Sequence, residues 1–368
     1  MPSPARVAAS PAETLIGAEP SGGFRDFAPR TRVLEGKSVL VTGGTGSFGR
    51  RFVREALAGQ APKKLIILSR DELKQYEMRQ ELAELFPEEK LKALRFFLGD
   101  VRDRNRLELA FRGVDVVVHA AALKQVPAAE YNPSECIQTN VMGAENVVWA
   151  SLANRVERVI ALSTDKACSP INLYGATKLA SDKTFIAANN LSGDLGTRFA
   201  VVRYGNVMGS RGSVAPLFKR LLETGAHELP ITDPRMTRFW ITLGQGVNFV
   251  LSSLEMMRGG EVFVPKIPAT TITELAQAMA PQAGVKLVGI RPGEKLHEMM
   301  ISPDDARLTV DLGDRYAIEP EFVEYPRKSF AATGEGLPVD EGFAYSSDSN
   351  GERLDARGLM TLLERAYG

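Results

Sequence analysis

The stretch KSVLVTGGTGSFGRRFV, residues 37–53, decides the fold. It opens with a short β-branched run, Lys37 to Thr42, passes through a glycine cluster and enters a helix-forming segment. Gly43, Gly46 and Gly49 stand three residues apart. At that spacing glycines allow a tight turn, close approach of the backbone to a pyrophosphate, and close packing of helix on sheet. The helix N-terminus behind the loop would face the anion, which its free N–H groups and dipole favour. Thr45, Ser47 and Phe48 lie in the same loop and are expected to line it. A glycine cluster alone is a weak signal; it becomes specific here because it follows the first of several similar strands.

Those strands are KLIILSR, LRFFLGD, VDVVVHAAA, VERVIALST and RFAVVRYGNV, separated by segments of helix length. Apolar runs of this size, bounded by helices, predict a parallel sheet covered on both faces. The fold class is therefore α/β, a Rossmann-type doubly wound parallel sheet with a smaller, discontinuous substrate-binding lobe. Residues 36–205 and 237–268 are expected to form the dinucleotide-binding domain, and residues 206–236 and 269–345 the substrate lobe. Residues 346–368 are expected to end in a closing helix. Residues 1–35, rich in Pro, Ala, Gly and Ser, read as a flexible extension. In NPSECIQTNV, Asn132 stands as N-cap, with Pro133 first in the helix and Glu135 third. Met142 and Trp149, on the helix that follows, are expected in the core.

With 368 residues the chain can bury a large core. Lys and Arg number 45, as do Asp and Glu, so no net field recruits nucleic acid or an anionic membrane. No run approaches the roughly 18 apolar residues of a membrane span, and the chain does not start with a basic segment leading into an apolar one. A soluble cytoplasmic protein with a small-molecule substrate is expected, with no nucleic-acid or membrane partner. Cys136 and Cys168 are too few for a disulfide framework, and His119, His227 and His297 form no ligand-spaced pair. No metal site is expected; His119 reads as a packed strand residue and Cys168 as a loop residue.

The end of the second strand chooses the dinucleotide. An NAD site usually offers a carboxylate there, whereas this chain has Ser69 and Arg70, with Lys74 one turn on. Arg70 suits a 2′-phosphate, so NADP is expected. The alternative leaves Arg70 and Lys74 as solvated charges and gives the ribose to Asp71. Asp100 and Val101 should lie along the adenine, and Ala120, Ala121 and Ala122 near the nicotinamide.

A second informative stretch is STDKACSPINLYGATKL, residues 163–179. Tyr174 and Lys178 are one helical turn apart and share a face. An ammonium beside a phenol favours the phenolate, which makes Tyr174 a base towards a sugar hydroxyl. Thr164, at the end of the fifth strand, should hydrogen-bond the same hydroxyl oxygen.

Together these features resemble the extended short-chain dehydrogenase/reductase superfamily over residues 37–345. Within it the chain is similar to the inverting UDP-N-acetylglucosamine 4,6-dehydratases of pseudaminic acid biosynthesis. The resemblance rests on GGTGSFG, SRDELKQ, AAALKQVPAAEYNP, STDKACSPINLYGATKL, RYGNVMGSRGSV, DPRMTRFWITL and GIRPGEKLHE. It implies a hydro-lyase that acts on UDP-N-acetylglucosamine, a product used for flagellin or surface glycans, and a homo-oligomer, dimer or hexamer.

The chemistry explains the acid and base side by side at Asp165 and Lys166. An epimerase needs only Tyr174, Lys178 and Thr164, because the hydride leaves and returns at one carbon. A dehydratase must also remove the proton on carbon 5 and help the hydroxyl leave carbon 6, which takes two more proton-handling groups. Retaining relatives carry Asp-Glu at this place; the resemblance assigns Lys166 as acid/base with Asp165 as partner. For Lys166 to abstract a proton, burial or the cofactor's charge would have to lower its pKa. The resemblance also places Asn206, Ser213, Val214 and Lys124 at the sugar nucleotide, gives Arg238 and Arg291 to the UDP phosphates, and Glu294 to a ribose hydroxyl. A UDP-hexose epimerase and a non-catalytic dinucleotide-binding sensor are the competing readings.

Overall fold

The computed structural model describes residues 24–210 and 212–367. Its spine is a 10-stranded sheet. Six strands in the first half pair in parallel: β1 (Ser38–Thr42), β2 (Lys64–Ser69), β3 (Leu94–Leu98), β4 (Val116–His119), β5 (Arg158–Thr164) and β6 (Arg198–Tyr204), in the order β3-β2-β1-β4-β5-β6. The order reverses between β1 and β4, and a doubly wound sheet opens its ligand crevice there. Strands β1 and β4 are buried throughout, as expected for strands covered by helices on both faces.

Beyond β6 the sheet continues with Val262–Pro265 in parallel and then turns antiparallel through Arg315–Ile318, Thr309–Asp311 and Leu337–Pro338. Residues 309–338, assigned to the substrate lobe from sequence, thus extend the main sheet. Short strands separated by a turn lack the helix-length crossover that parallel pairing needs, so they join as hairpin-like additions.

The second lobe has its own apolar centre, with Phe218, Trp240, Leu275, Leu359 and Leu362. A three-stranded sheet of Asn206–Val207, Thr237–Ile241 and Ala269–Thr271 frames it. Thr237–Ile241 serves both lobes, since Phe239 and Ile241 belong to the main core while Trp240 turns to the second. The closing helix is Ala356–Tyr367, opened by Asp355, which accepts from the Gly358 N–H at 2.7 Å, while Tyr345–Ser346 pairs as a strand with Met299–Ile301.

Two expectations fail for identifiable reasons. The extension reading places residues 1–35 in a flexible arm; residues 1–23 lie outside the described residues, but 24–35 are docked. Phe27 is buried against Phe249, Arg25 bonds Glu352 at 2.6 Å and the Lys266 carbonyl at 3.1 Å, and Thr31 donates to Glu255 at 2.6 Å. Asn132 is the N-cap of the helix Pro133–Ile137, with Pro133 first and Glu135 third as expected, although its side chain donates to the Ala128 carbonyl and Glu135 pairs with Arg102. Trp149 and Met142 lie on the outer face, 42% and 39% exposed, and the Arg104 guanidinium covers the Trp149 ring.

Candidate active site

The glycine loop joins β1 to the helix α1 (Ser47–Glu55). Gly43 has φ +66°, and a Cβ there would lie 2.9 Å from Ala121 backbone atoms. Only glycine fits, so the loop passes against Ala120 and Ala121, whose N–H groups both donate to the Thr42 hydroxyl. Gly46 is the N-cap of α1 and makes no side-chain cap bond, so the first N–H groups of the helix are available to a ligand. Thr45 is buried, and Phe48 stacks on Phe52. Gly49 packs the helix on the loop, and Ser47 starts it. This glycine-lined cradle at a helix N-terminus fits a dinucleotide pyrophosphate.

At the end of β2, Ser69 is buried and its hydroxyl accepts from Gln75 at 2.9 Å. Arg70 is 54% exposed and 3.6 Å from Asp100. Asp71 is already engaged: it caps the helix Glu72–Leu85 by accepting from the Lys74 N–H at 3.0 Å, and Lys74 Nζ lies 2.7 Å from it. Asp100 feels burial, which alone would raise its pKa, but hydrogen bonds from Arg102 and the charge of Arg70 bring it below the usual carboxylate range. Val101 is buried against Gly143, and Ala122 continues the loop after β4. Lys124 lies on that same loop, where desolvation lowers its pKa.

The second cluster forms where β5 ends. Thr164 passes into a single turn, Asp165–Ala167, and the helix Leu173–Ser192 returns over it. Gly175 makes the crossing possible, because a Cβ there would meet the Lys166 carbonyl oxygen at 2.2 Å. Asn172 fixes the helix start, accepting from the Gly175 N–H at 2.8 Å and donating to the Gly293 carbonyl at 2.7 Å. One asparagine thereby ties the helix carrying Tyr174 to the distant loop 291–298, and Lys295 adds a 2.6 Å bond to the Cys168 carbonyl.

Tyr174 is buried near Thr164, whose hydroxyl donates to Asp165 at 2.9 Å. Burial pushes the Tyr174 pKa up to about 12 against the pull of Lys166 and Thr164. The charge of Lys166 favours the phenolate from the turn after β5. Lys178 is buried on the same helix; desolvation lowers its pKa and Asp182 partly restores it. Behind it Asp182 accepts from Ser163 at 2.6 Å and lies 3.6 Å from Arg203. His119 is a packed strand residue bonded to Thr42 at 2.8 Å, its pKa pushed down to about 3 by burial and by Lys178.

Lys166 Nζ lies 3.1 Å from Asp165 and 3.0 Å from Glu298, and its side chain keeps 25% exposure. Burial lowers the lysine's pKa, but the two carboxylates outweigh it and Arg238 opposes them only in part, so the pKa stands above lysine's ordinary value. The depression that proton abstraction would need is not there. Glu298 escaped the sequence reading, although it ends the quoted motif GIRPGEKLHE: nothing local links it to Lys166.

Arg238 is also placed differently from expectation. It is buried, donates to the carbonyls of Thr237, Lys295 and Leu296, and reaches Glu298 at 3.8 Å. Its guanidinium is committed to the loop and to Glu298 in place of an open phosphate site. Arg291 is 65% exposed and paired with Glu294 at 3.1 Å in one turn. Asn206 lies on the short strand Asn206–Val207, and Ser213 and Val214 open the helix Val214–Glu223. Among the described residues, Asn206 Oδ1, Ser213 Oγ, Asp165 Oδ2 and Glu298 Oε2 are buried without a hydrogen-bond partner. Buried polar atoms are rarely left so, and four of them fall on the residues of this cluster and its predicted substrate contacts.

A glycine-lined nucleotide crevice beside a threonine, tyrosine and lysine at the end of β5 defines the class: an extended short-chain dehydrogenase/reductase. The profile of the polysaccharide biosynthesis protein family matches residues 39–320, and the chain belongs to that family. It is 54% identical over 340 residues to the inverting UDP-N-acetylglucosamine 4,6-dehydratase of Campylobacter jejuni subsp. jejuni serotype O:23/36 (strain 81-176), covering 91% of this chain and 100% of that protein. It is 45% identical over 290 residues to a UDP-glucose 4-epimerase of Rickettsia canadensis (strain McKiel), 77% of this chain and 82% of that protein. Among solved structures, Pen from Bacillus thuringiensis superposes with a TM-score of 0.81 at 31% identity, covering 90% and 98% of the two chains. DesIV, a dTDP-glucose 4,6-dehydratase from Streptomyces venezuelae with NAD and TYD bound, gives 0.61 at 26% identity, covering 70% and 86%. The cofactor of this chain is a nicotinamide dinucleotide, for which the crevice at Gly43–Gly49 is built. No helix among the described residues is long and apolar enough to cross a membrane.

Proposed function

We propose that this chain catalyses the 5-inverting 4,6-dehydration of UDP-N-acetylglucosamine, giving UDP-2-acetamido-2,6-dideoxy-β-L-arabino-hex-4-ulose and water. The observation that carries the reading is Lys166, gripped by two carboxylates at 3.0 and 3.1 Å beside Tyr174. Redox chemistry alone would not call for that cluster. Thr164 orients the hydroxyl on carbon 4 and Tyr174 takes its proton, with Lys178 supporting the helix face on which Tyr174 sits. The bound dinucleotide supplies the acceptor for hydride from carbon 4 and its donor to carbon 6. Asp165 and Lys166 handle the protons at carbons 5 and 6.

Arg70 and Lys74, exposed at the end of β2, favour NADP, and the engagement of Asp71 as a helix cap supports this over a ribose-binding carboxylate. The unpaired polar atoms of Asn206 and Ser213 favour contact with the sugar nucleotide, and exposed Arg291, beside Glu294, suits its phosphates. Lys124 and Val214 complete the same side. A homo-oligomer, dimer or hexamer, a cytoplasmic location, and use of the product towards pseudaminic acid or a related deoxy sugar belong to the same proposal.

Incubation with UDP-N-acetylglucosamine in heavy water tests it. The expected product has lost one water, carries deuterium at carbon 5 and has the L-arabino configuration. The second reading, a UDP-hexose 4-epimerase, is favoured by the 45% identity to the Rickettsia protein. It would give a product of unchanged mass with no deuterium at carbon 5.

A further inference from the structure

Asn172 is buried where the segment after β5 enters the long helix Leu173–Ser192, and both ends of its side chain are bonded. Oδ1 caps the helix by accepting from the Gly175 N–H at 2.8 Å, and Nδ2 donates to the Gly293 carbonyl at 2.7 Å. For capping alone Ser or Asp would serve as well. An amide accepts with one atom and donates with the other, so the bond to Gly293 is what the asparagine adds.

Gly293 belongs to a tight turn. Pro292 precedes it, its φ is +77°, and the Glu294 N–H closes the turn on the Arg291 carbonyl at 3.1 Å. Proline followed by glycine at positive φ is the pattern of a type II turn. A Cβ on Gly293 would lie 3.1 Å from both the Asn172 Cβ and the Val126 Cγ1, so the turn is pressed against the start of the long helix. A second bond on that side runs from Lys295 to the Cys168 carbonyl at 2.6 Å. From the far side Arg238 holds the carbonyls of Lys295 and Leu296. The Arg291 side chain remains 65% exposed.

We propose that Asn172 is a positioning residue: it locks the turn 291–294, which receives the diphosphate, to the helix that carries Tyr174, so that seating the nucleotide sets the sugar against the reacting groups. The inference rests on the dehydratase reading for the place of the substrate. Tyr174 stands two residues beyond Asn172, in the first turn of the helix. A shift of the helix start against the turn 291–294 therefore carries the phenol with it. Binding energy collected at the remote nucleotide end aids the chemistry only where the connection between the two is stiff. Without the bridge the turn still binds phosphate, but the sugar meets Tyr174 with more freedom.

Asn172→Ser separates the two bonds, because its hydroxyl can cap the Gly175 N–H but is too short to reach Gly293. In the full chain, affinity for UDP alone is compared with kcat and KM for UDP-N-acetylglucosamine. UDP affinity should hold while kcat falls between about 10-fold and 10²-fold, the loss expected of an ångström-scale misplacement. Lys295→Met, which removes the neighbouring bond and leaves the cap untouched, should show the same split. Hydrogen exchange reads the coupling itself. UDP should slow amide exchange in 291–298 and also in 165–168 and 173–176 of the wild type, but only in 291–298 of Asn172→Ser. A kcat equal to the wild type's in both variants, or a fall in UDP affinity that matches the fall in kcat, would overturn the proposal. So would UDP protection that stops at 291–298 in the wild type, or that spreads equally far in both proteins. If the wild type eliminates no water the dehydratase reading fails, while exchange with UDP needs no turnover and still decides what Asn172 does.

Discussion

A half-buried lysine and a fully buried one lie near Tyr174, and their surroundings pull in opposite directions. Lys166, in the turn after β5, has a carboxylate on either side at 3.0 and 3.1 Å, and its pKa is raised. Lys178, on the long helix, feels Asp182, which is itself bound by Ser163 and near Arg203; desolvation prevails and its pKa is lowered. Carboxylates at contact distance raise one lysine's affinity for its proton, and desolvation lowers the other's. The same side chain, twelve residues apart, takes its character from what the tertiary structure brings alongside.

If the two regions divide the labour, their variants must fail differently. Tyr174→Phe, between them, should cut turnover on the order of 10⁴-fold, the upper range for loss of an acid/base group. Stopped-flow absorbance should show no cofactor reduction, while the protein still retains its dinucleotide. Lys166→Ala should keep cofactor reduction by substrate but lose water elimination on the order of 10²-fold, measured by product mass. Lys178→Met should lose the reduction step itself. Identical phenotypes for the two lysines would erase the comparison.

The inward cluster sharpens it further. Asp182→Ala leaves Arg203 and Lys178 buried without their carboxylate, and should cost about 3 kcal/mol of stability in urea unfolding. A midpoint equal to the wild type's would show that Asp182 carries no such charge in the folded protein.

The smallest effect concerns His119, which sees Lys178 from β4. An unfolded imidazole binds its proton near pH 6.5 and the buried one only near about 3, so the unfolded chain gains protons first as the medium is acidified. Stability is therefore complete above pH 6.5 and falls as pH drops towards 3. Between pH 6.5 and 5 the loss should be about 2 kcal/mol, and His119→Gln should flatten that slope. Equal slopes in urea titrations of the two proteins at both pH values would exclude the effect.

The cofactor half was legible because its determinants are contiguous. β1, the glycine loop and α1 follow one another in residues 38–55, and the strand order follows from apolar runs joined by helix-length crossovers. The face shared by Tyr174 and Lys178 follows from helical spacing alone. The strands of 309–338 were less legible, since two to four residues carry no period that marks which sheet they join. Arg238 could be recognised by its motif but not oriented, because whether a guanidinium faces a phosphate or a loop carbonyl depends on a segment more than fifty residues away.

By itself the sequence determined the doubly wound sheet, the nucleotide crevice and the residues that meet at the end of β5, because turn chemistry, periodicity and helical spacing act between near neighbours along the chain. Only the tertiary structure decided that Lys166 lies between Asp165 and Glu298, that Arg238 faces inward and that residues 24–35 are docked. Those outcomes depend on charges and apolar surfaces meeting through space. Coulomb energy and desolvation follow distance and burial, and neither is set by position along the chain.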